Sequence, residues 1–177
     1  MNLPNLLTIV RFILVPFMTY FLIMENFTLA ILLYVIASIT DVVDGFIARK
    51  FNQITKLGKF LDPMADKLLQ FSALVGLWIV ELIPLWIVII FFLKELFMGL
   101  GAIKLLQKNI VVQSKWFGKL STNFFFLAII ASMLSPFISV LSNYIIPLFI
   151  LALLSLVFAF IMYLVNFIKE DKKTVAE

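Results

Sequence analysis

Apolar residues run along this chain in long stretches rather than at alternating positions. The run from Ile83 to Leu93 shows no alternation, so it reads neither as a half-buried strand nor as a barrel strand. Stretches of about 20 mostly apolar residues predict membrane-crossing α-helices. Six such helices are predicted, over 6–24, 28–48, 60–80, 84–106, 120–139 and 145–168. The polar connections are short, and the charged tail over 170–177 is expected to fray. The prediction is a single all-α membrane domain over 1–177, a bundle of six helices.

Charge adds an orientation. Apart from Arg11 and Lys94, the cations fall in three clusters. Arg49, Lys50, Lys56, Lys59 and Lys67 form the first, Lys104, Lys108, Lys115 and Lys119 the second, and Lys169, Lys172 and Lys173 the third. The alternate connections, at Glu25-Asn26, at Glu81 and from Ser135 to Asn143, carry none. Positive residues collect on the cytoplasmic side, so both termini and the 49–59 and 107–119 loops are expected there, in the plasma membrane. The net charge of +4 is thus a topological signal, and it does not suggest nucleic-acid binding. Met1 to Asn5 lacks a basic stretch and no small-x-small site follows, so the first span is expected to be retained.

Composition excludes whole chemistries. Hydrophobic residues make up 64% of the 177, with a mean hydropathy of +1.15, well beyond a soluble domain. The chain has no cysteine and no histidine, which removes disulfides, thiolate nucleophiles, zinc sites and the commonest general base.

Chemistry concentrates in one window. Asp41 and Asp44 lie three apart near the end of the second span, and Asp62 and Asp66 lie four apart at the start of the third. Each pair shares a helix face, and a short polar loop from Lys50 to Leu57 lets the two faces meet. Each carboxylate costs about 2.5–3.5 kcal/mol to place mid-bilayer. A bound cation offsets both that cost and their mutual repulsion. All-oxygen ligation points to Mg²⁺ or Mn²⁺, and two ions could share the four side chains. Gly45 and Gly58 let a phosphate or backbone approach closely. Arg49 can clamp a phosphate, or simply anchor its helix at the interface. Pro63 cannot donate to the carbonyl of Lys59, so the third span is expected to be irregular beside Asp62.

The pattern Asp41-x-x-Asp44-Gly45-x-x-Ala48-Arg49, eight residues, then Gly58-x-x-x-Asp62-x-x-x-Asp66 resembles the signature of the CDP-alcohol phosphatidyltransferase family at every fixed position. The resemblance implies six membrane helices, usually a homodimer, and a metal-dependent site open to the cytoplasm. It implies that Asp41, Asp44 and Asp62 hold metal and that Asp66 is both ligand and proton acceptor. Gly45, Arg49 and Thr55 match positions that contact the CDP-lipid in relatives. The start, Asn5-Leu6-Leu7-Thr8-Ile9-Val10-Arg11, resembles the nucleotide-side segment of the phosphatidylglycerophosphate synthases within that family. It puts Asn5, Thr8 and Arg11 on one side of a helix, although Arg11 also reads as an interfacial anchor. Lys94-Glu95 stands where those enzymes often carry Arg-Glu, and Trp116-x-Gly118-Lys119-x-x-Thr122 resembles a second shared stretch, with Ser121 where a further Lys is common.

By this resemblance the substrate is CDP-diacylglycerol and the acceptor is glycerol 3-phosphate, its phosphate met by Lys119 with Lys94, Lys104 or Lys115. Lys94 with Glu95 reads equally as an internal structural pair. The alternatives are another alcohol (phosphatidylglycerol, inositol phosphate or serine), a membrane prenyltransferase, and a divalent-cation transporter. Prenyltransferases carry more widely separated aspartate motifs, whereas both pairs here fit within 26 residues. A transporter commonly shows repeated halves, and no repeat is found.

Overall fold

The computed structural model describes residues 3–50, 58–107 and 116–174. Among them are α1 (Leu3–Ile23), α2 (Phe27–Lys50), α3 (Gly58–Ile79), α4 (Leu85–Gln107), α5 (Trp116–Leu134), a 3₁₀ helix (Ser139–Tyr144) and α6 (Ile145–Thr174). No strand occurs among the described residues. Among the described residues, three segments are long and apolar enough to cross a membrane, Asn5–Ile23, Phe27–Gly45 and Ser139–Met162, against the six spans expected. Wide exposure of apolar side chains suits a bilayer, as with Phe97, Leu127 and Leu154 on α4, α5 and α6.

Three differences from the sequence reading have local causes. The fifth helix stops at Leu134 rather than 139, because Ser135 precedes Pro136 and is disfavoured in the α region. The chain then turns, with Phe137 N–H donating to the Leu134 carbonyl at 3.0 Å, and enters the 3₁₀ helix. At Pro63, α3 is continuous through the proline instead of irregular. Pro63 sits in the second turn, so the donor it lacks would have served a carbonyl in the helix's opening turn. At the far end α6 runs on to Thr174, into the tail expected to fray, where Glu170, Lys172 and Lys173 are good helix formers.

Two turns on the lysine-free connections share one geometry. Glu25 and Glu81 have φ of 57° and 61°, the left-handed conformation that usually belongs to glycine at a helix C-terminus. Asn26 N–H donates to the Phe21 carbonyl at 2.9 Å, and Leu82 N–H to the Leu77 carbonyl at 3.0 Å, closing α1 and α3 in the same way. The Asn26 side chain then caps α2, its Oδ1 accepting from Leu29 N–H at 3.2 Å.

The packing decides what can meet. α1 packs along both α2 and α3, whereas α2 and α3 touch each other much less. The close approach of α1 to α3 is set at Gly76, where an added Cβ would stand 2.6 Å from Leu22 Cδ2. Met18, Leu22, Ala30, Tyr34, Ala73 and Leu77 fill the buried seam of this three-helix unit. In the other half, Phe125 packs edge-on against Phe91 and Phe149, with ring centroids 5.1 and 6.2 Å apart, tying α4, α5 and α6 together. The aspartate pairs therefore do not face each other alone across a hairpin. The N-terminal helix stands with them.

Candidate active site

Polar residues are rare on α1, and two of them define the site. Arg11, three residues after Thr8, is fully buried. Its Nη2 donates to Asp44 Oδ2 at 2.5 Å, and its Nη1 lies 2.8 Å from Asp41 Oδ1. Thr8 Oγ1 donates to Asp62 Oδ1 at 2.5 Å. One turn of α1 thus links the acids of α2 to those of α3. Arg11 is enclosed by protein and held by acids, so the anchor reading does not describe its contacts.

A buried guanidinium is tolerated because it has acid partners, and the acids are tolerated because of it. Asp44 is almost wholly enclosed, while Asp41 keeps 39% of its side chain exposed. Arg11 Nε and Nη1 have no hydrogen-bond acceptor among the described residues, since the Nη1 contact with Asp41 is an ion pair out of line for a hydrogen bond. These buried donors suit an anionic oxygen.

Asp66 lies one turn beyond Asp62. Its Oδ1 accepts from Gln70 Nε2 at 3.0 Å, and its Oδ2 stands 3.7 Å from Lys67 Nζ. Asp66 and Asp41 line one cavity of about 350 Å³ between α2, α3 and α5, together with Tyr34, Ser38, Gln70 and Asn123. Asp41 feels the charges of both Asp62 and Asp66, so the four carboxylates belong to one electrostatic unit. Among the described residues, no three acidic side chains are close enough together to share one ion as they stand.

The remaining candidates divide. Asn5 is half-buried on α1, on the same side as Thr8 and Arg11, and Gly45 directly follows Asp44 on α2. Gly58 opens α3 and is buried. Lys94 on α4 is held by Glu95 at 2.5 Å and lies 5.6 Å from the centroid of the Phe91 ring. Arg49 belongs to the last turn of α2 and Lys119 to the first turn of α5, but their side chains lie outside the described residues, as do Thr55 and Lys115. Sequence reasoning missed Lys67 and Gln70. In the sequence Lys67 reads only as one member of a topological cluster. Gln70, a lone amide four residues after Asp66, was the available signal for a carboxylate partner.

Comparison with known proteins matches residues 1–165 to a family described as CDP-alcohol phosphatidyltransferase. A probable cardiolipin synthase (CMP-forming) of Drosophila melanogaster is 45% identical over 103 residues, covering 58% of this chain but only 32% of the fly protein. A CDP-diacylglycerol–glycerol-3-phosphate 3-phosphatidyltransferase of Aquifex aeolicus is 35% identical over 133 residues, 74% of this chain and 75% of the relative. A protein of the same name from Bacillus subtilis is 38% identical over 136 residues, 68% and 70% of the two chains.

Proposed function

The chain belongs to the CDP-alcohol phosphatidyltransferase family, and we propose that it transfers the phosphatidyl group of CDP-diacylglycerol to glycerol 3-phosphate, giving phosphatidylglycerophosphate and CMP. The observation that carries this reading is the meeting of Asp41, Asp44 and Asp62 with Arg11 and Thr8 on three packed helices. The names of the bacterial relatives supply the acceptor.

Enzymes of this family generally use a divalent metal. The hard carboxylate oxygens of α2 and α3 are the donor type that a hard dication, Mg²⁺ or Mn²⁺, takes, and its binding would compete with Arg11 for Asp41 and Asp44. Asp41, Asp44, Asp62 and Asp66 would hold two such ions, which when bound supply positive charge to the pyrophosphate. The buried Nε and Nη1 donors of Arg11, left without an acceptor among the described residues, support a role for this residue in meeting a phosphate oxygen of the CDP-lipid. Asn5, Thr8, Gly45, Arg49, Thr55 and Gly58 complete the CDP-lipid surface in this proposal. Asp66 takes the proton of the acceptor hydroxyl as its oxygen bonds to the lipid-side phosphorus. The bond from that phosphorus to the bridging oxygen breaks, and CMP leaves with the oxygen. Lys119, Lys94 and Lys115 meet the acceptor's phosphate.

The proposal includes one domain of six spans in the plasma membrane, with both termini and the active site on the cytoplasmic side, working as a homodimer. The three lysine and arginine clusters support the orientation.

Purified protein in lipid nanodiscs, given labelled CDP-diacylglycerol and a panel of alcohols, tests the reaction. Glycerol 3-phosphate is expected to drive CMP release and yield phosphatidylglycerophosphate. The fly relative favours one second reading, with phosphatidylglycerol as acceptor and cardiolipin as product. Cardiolipin formed without phosphatidylglycerophosphate would replace the first reading by the second. No CMP release with any alcohol would overturn both.

A further inference from the structure

Asp66 divides its two oxygens between different neighbours. Oδ1 accepts from Gln70, itself buried, while Oδ2 looks toward the Lys67 ammonium 3.7 Å away. An alcohol that gives its proton to Asp66 therefore approaches Oδ2, the oxygen without a hydrogen-bonded amide, and stands beside Lys67.

Lys67 is not isolated there. Its Nζ lies 3.3 Å from Glu95 Oε1, and Lys94 Nζ lies 2.5 Å from that same oxygen. Sharing one oxygen keeps the two ammoniums within about 6 Å of each other, a span that the oxygens of one phosphate can bridge. We propose that Lys67 and Lys94, held in place by Glu95, form the seat for the phosphate of the acceptor alcohol, directly beside Asp66.

Charge, access and spacing all support the seat. A single glutamate faces two ammoniums, so the three side chains together present a net positive charge to an incoming anion. Lys67 keeps 36% of its side chain exposed and can be reached, whereas Lys94 is exposed by only 14% and is correspondingly desolvated. A positive charge in that setting attracts an anion more strongly than one in open water. In a three-carbon alcohol phosphate the hydroxyl and the phosphate lie a few bonds apart, matching a base and a cation that are 3.7 Å apart. A neutral alcohol would gain nothing from this pair. The seat therefore selects among acceptors, and it differs from the Lys119 and Lys115 positions in coming from α3 and α4.

This inference rests on the proposed acceptor and on Asp66 as the base, and the test separates the two. Steady-state kinetics are measured on the full chain in nanodiscs. Lys67→Met is expected to raise the KM for glycerol 3-phosphate about tenfold or more, with the KM for CDP-diacylglycerol changed by less than about twofold. Lys67→Arg is expected to recover most of the loss. A fall in kcat with both KM values unchanged would make Lys67 a support for Asp66 and overturn the seat. If Lys67→Met does not fold, lysine acylation of the wild-type protein followed by mass spectrometry decides. Glycerol 3-phosphate should then slow modification of Lys67 while glycerol does not, and equal modification with both overturns the proposal. A wild-type protein with no glycerol 3-phosphate-dependent CMP release would sink the acceptor reading, and the seat with it.

Discussion

Arg11 and Asp44, 33 positions apart in the chain, form a buried pair with Nη2 and Oδ2 separated by 2.5 Å. Neither is stable alone in that setting, since removing one partner of a buried pair strands the other's charge. Arg11→Met should therefore destabilise the protein by about 3–5 kcal/mol. Adding Asp44→Asn in the same chain should recover part of that loss. Thermal melts of the two variants in one detergent check it, and a double variant no more stable than the single one would contradict the pairing.

Metal dependence should reside in the carboxylates that Arg11 and Thr8 organise. Asp41→Asn, Asp44→Asn and Asp62→Asn should each abolish turnover while leaving a helical membrane protein, Asp44→Asn with lowered stability because it deprives buried Arg11 of a partner. Titration with Mn²⁺, followed by calorimetry, should show loss of binding in each variant. Full activity of the wild type in excess chelator would refute the assignment.

The role of Asp66 is testable apart from the others. Asp66→Asn should lower the maximal rate by about 10²–10⁴, the usual scale for losing a general base. Binding of CDP-diacylglycerol should survive, because Asp41, Asp44 and Asp62 remain. Unchanged turnover would remove Asp66 from the mechanism.

Orientation can be read with single cysteines, since the natural chain has none. Asn26, Ser142 and Lys50 are all exposed. Asn26→Cys and Ser142→Cys should label with an impermeant maleimide from outside the cell, and Lys50→Cys only after the membrane is opened. Labelling of Lys50→Cys in intact cells would invert the topology and move the site to the other face.

Glu81 holds a left-handed conformation at a helix end where glycine is at ease. Glu81→Gly should stabilise the protein by about 1 kcal/mol, the order of the strain a side chain suffers there. Glu81→Val should destabilise it, because a β-branched residue resists that conformation. Melting temperatures of the pair against wild type give the answer.

The helices were legible because each is a long apolar run, and the runs fall within a few residues of the observed elements at most ends. The end of α5 was misplaced because hydrophobicity continues past Pro136, while backbone sterics do not allow the helix to. The 3₁₀ helix Ser139–Tyr144 carries no periodic signal of its own. That the aspartates come near one another was legible from their spacing. Their partners were not, because Thr8 meets Asp62 across 54 positions, and nothing local in either segment encodes that α1 packs along both α2 and α3. Lys67 shows the converse failure. A lysine near a membrane surface satisfies the topological rule so well that its contacts with Asp66 and Glu95 leave no separate trace in the sequence.

The place of Arg11 in the first helix also bears on how the protein is made. A chain emerges from the ribosome N-terminus first, so the guanidinium is synthesised before any of the acids it serves. When α2 follows, Asp41 and Asp44 come to a helix that already carries their counter-charge, and the cost of about 2.5–3.5 kcal/mol for each carboxylate at membrane depth is offset as they arrive. Thr8, by contrast, brings no charge to Asp62 but offers a hydrogen-bond donor that is likewise made before its acceptor. For Asp41 and Asp44, order of synthesis and order of neutralisation coincide. Moving Arg11 to a later helix would leave the same final contacts on paper, but the acids would have to enter the membrane bare.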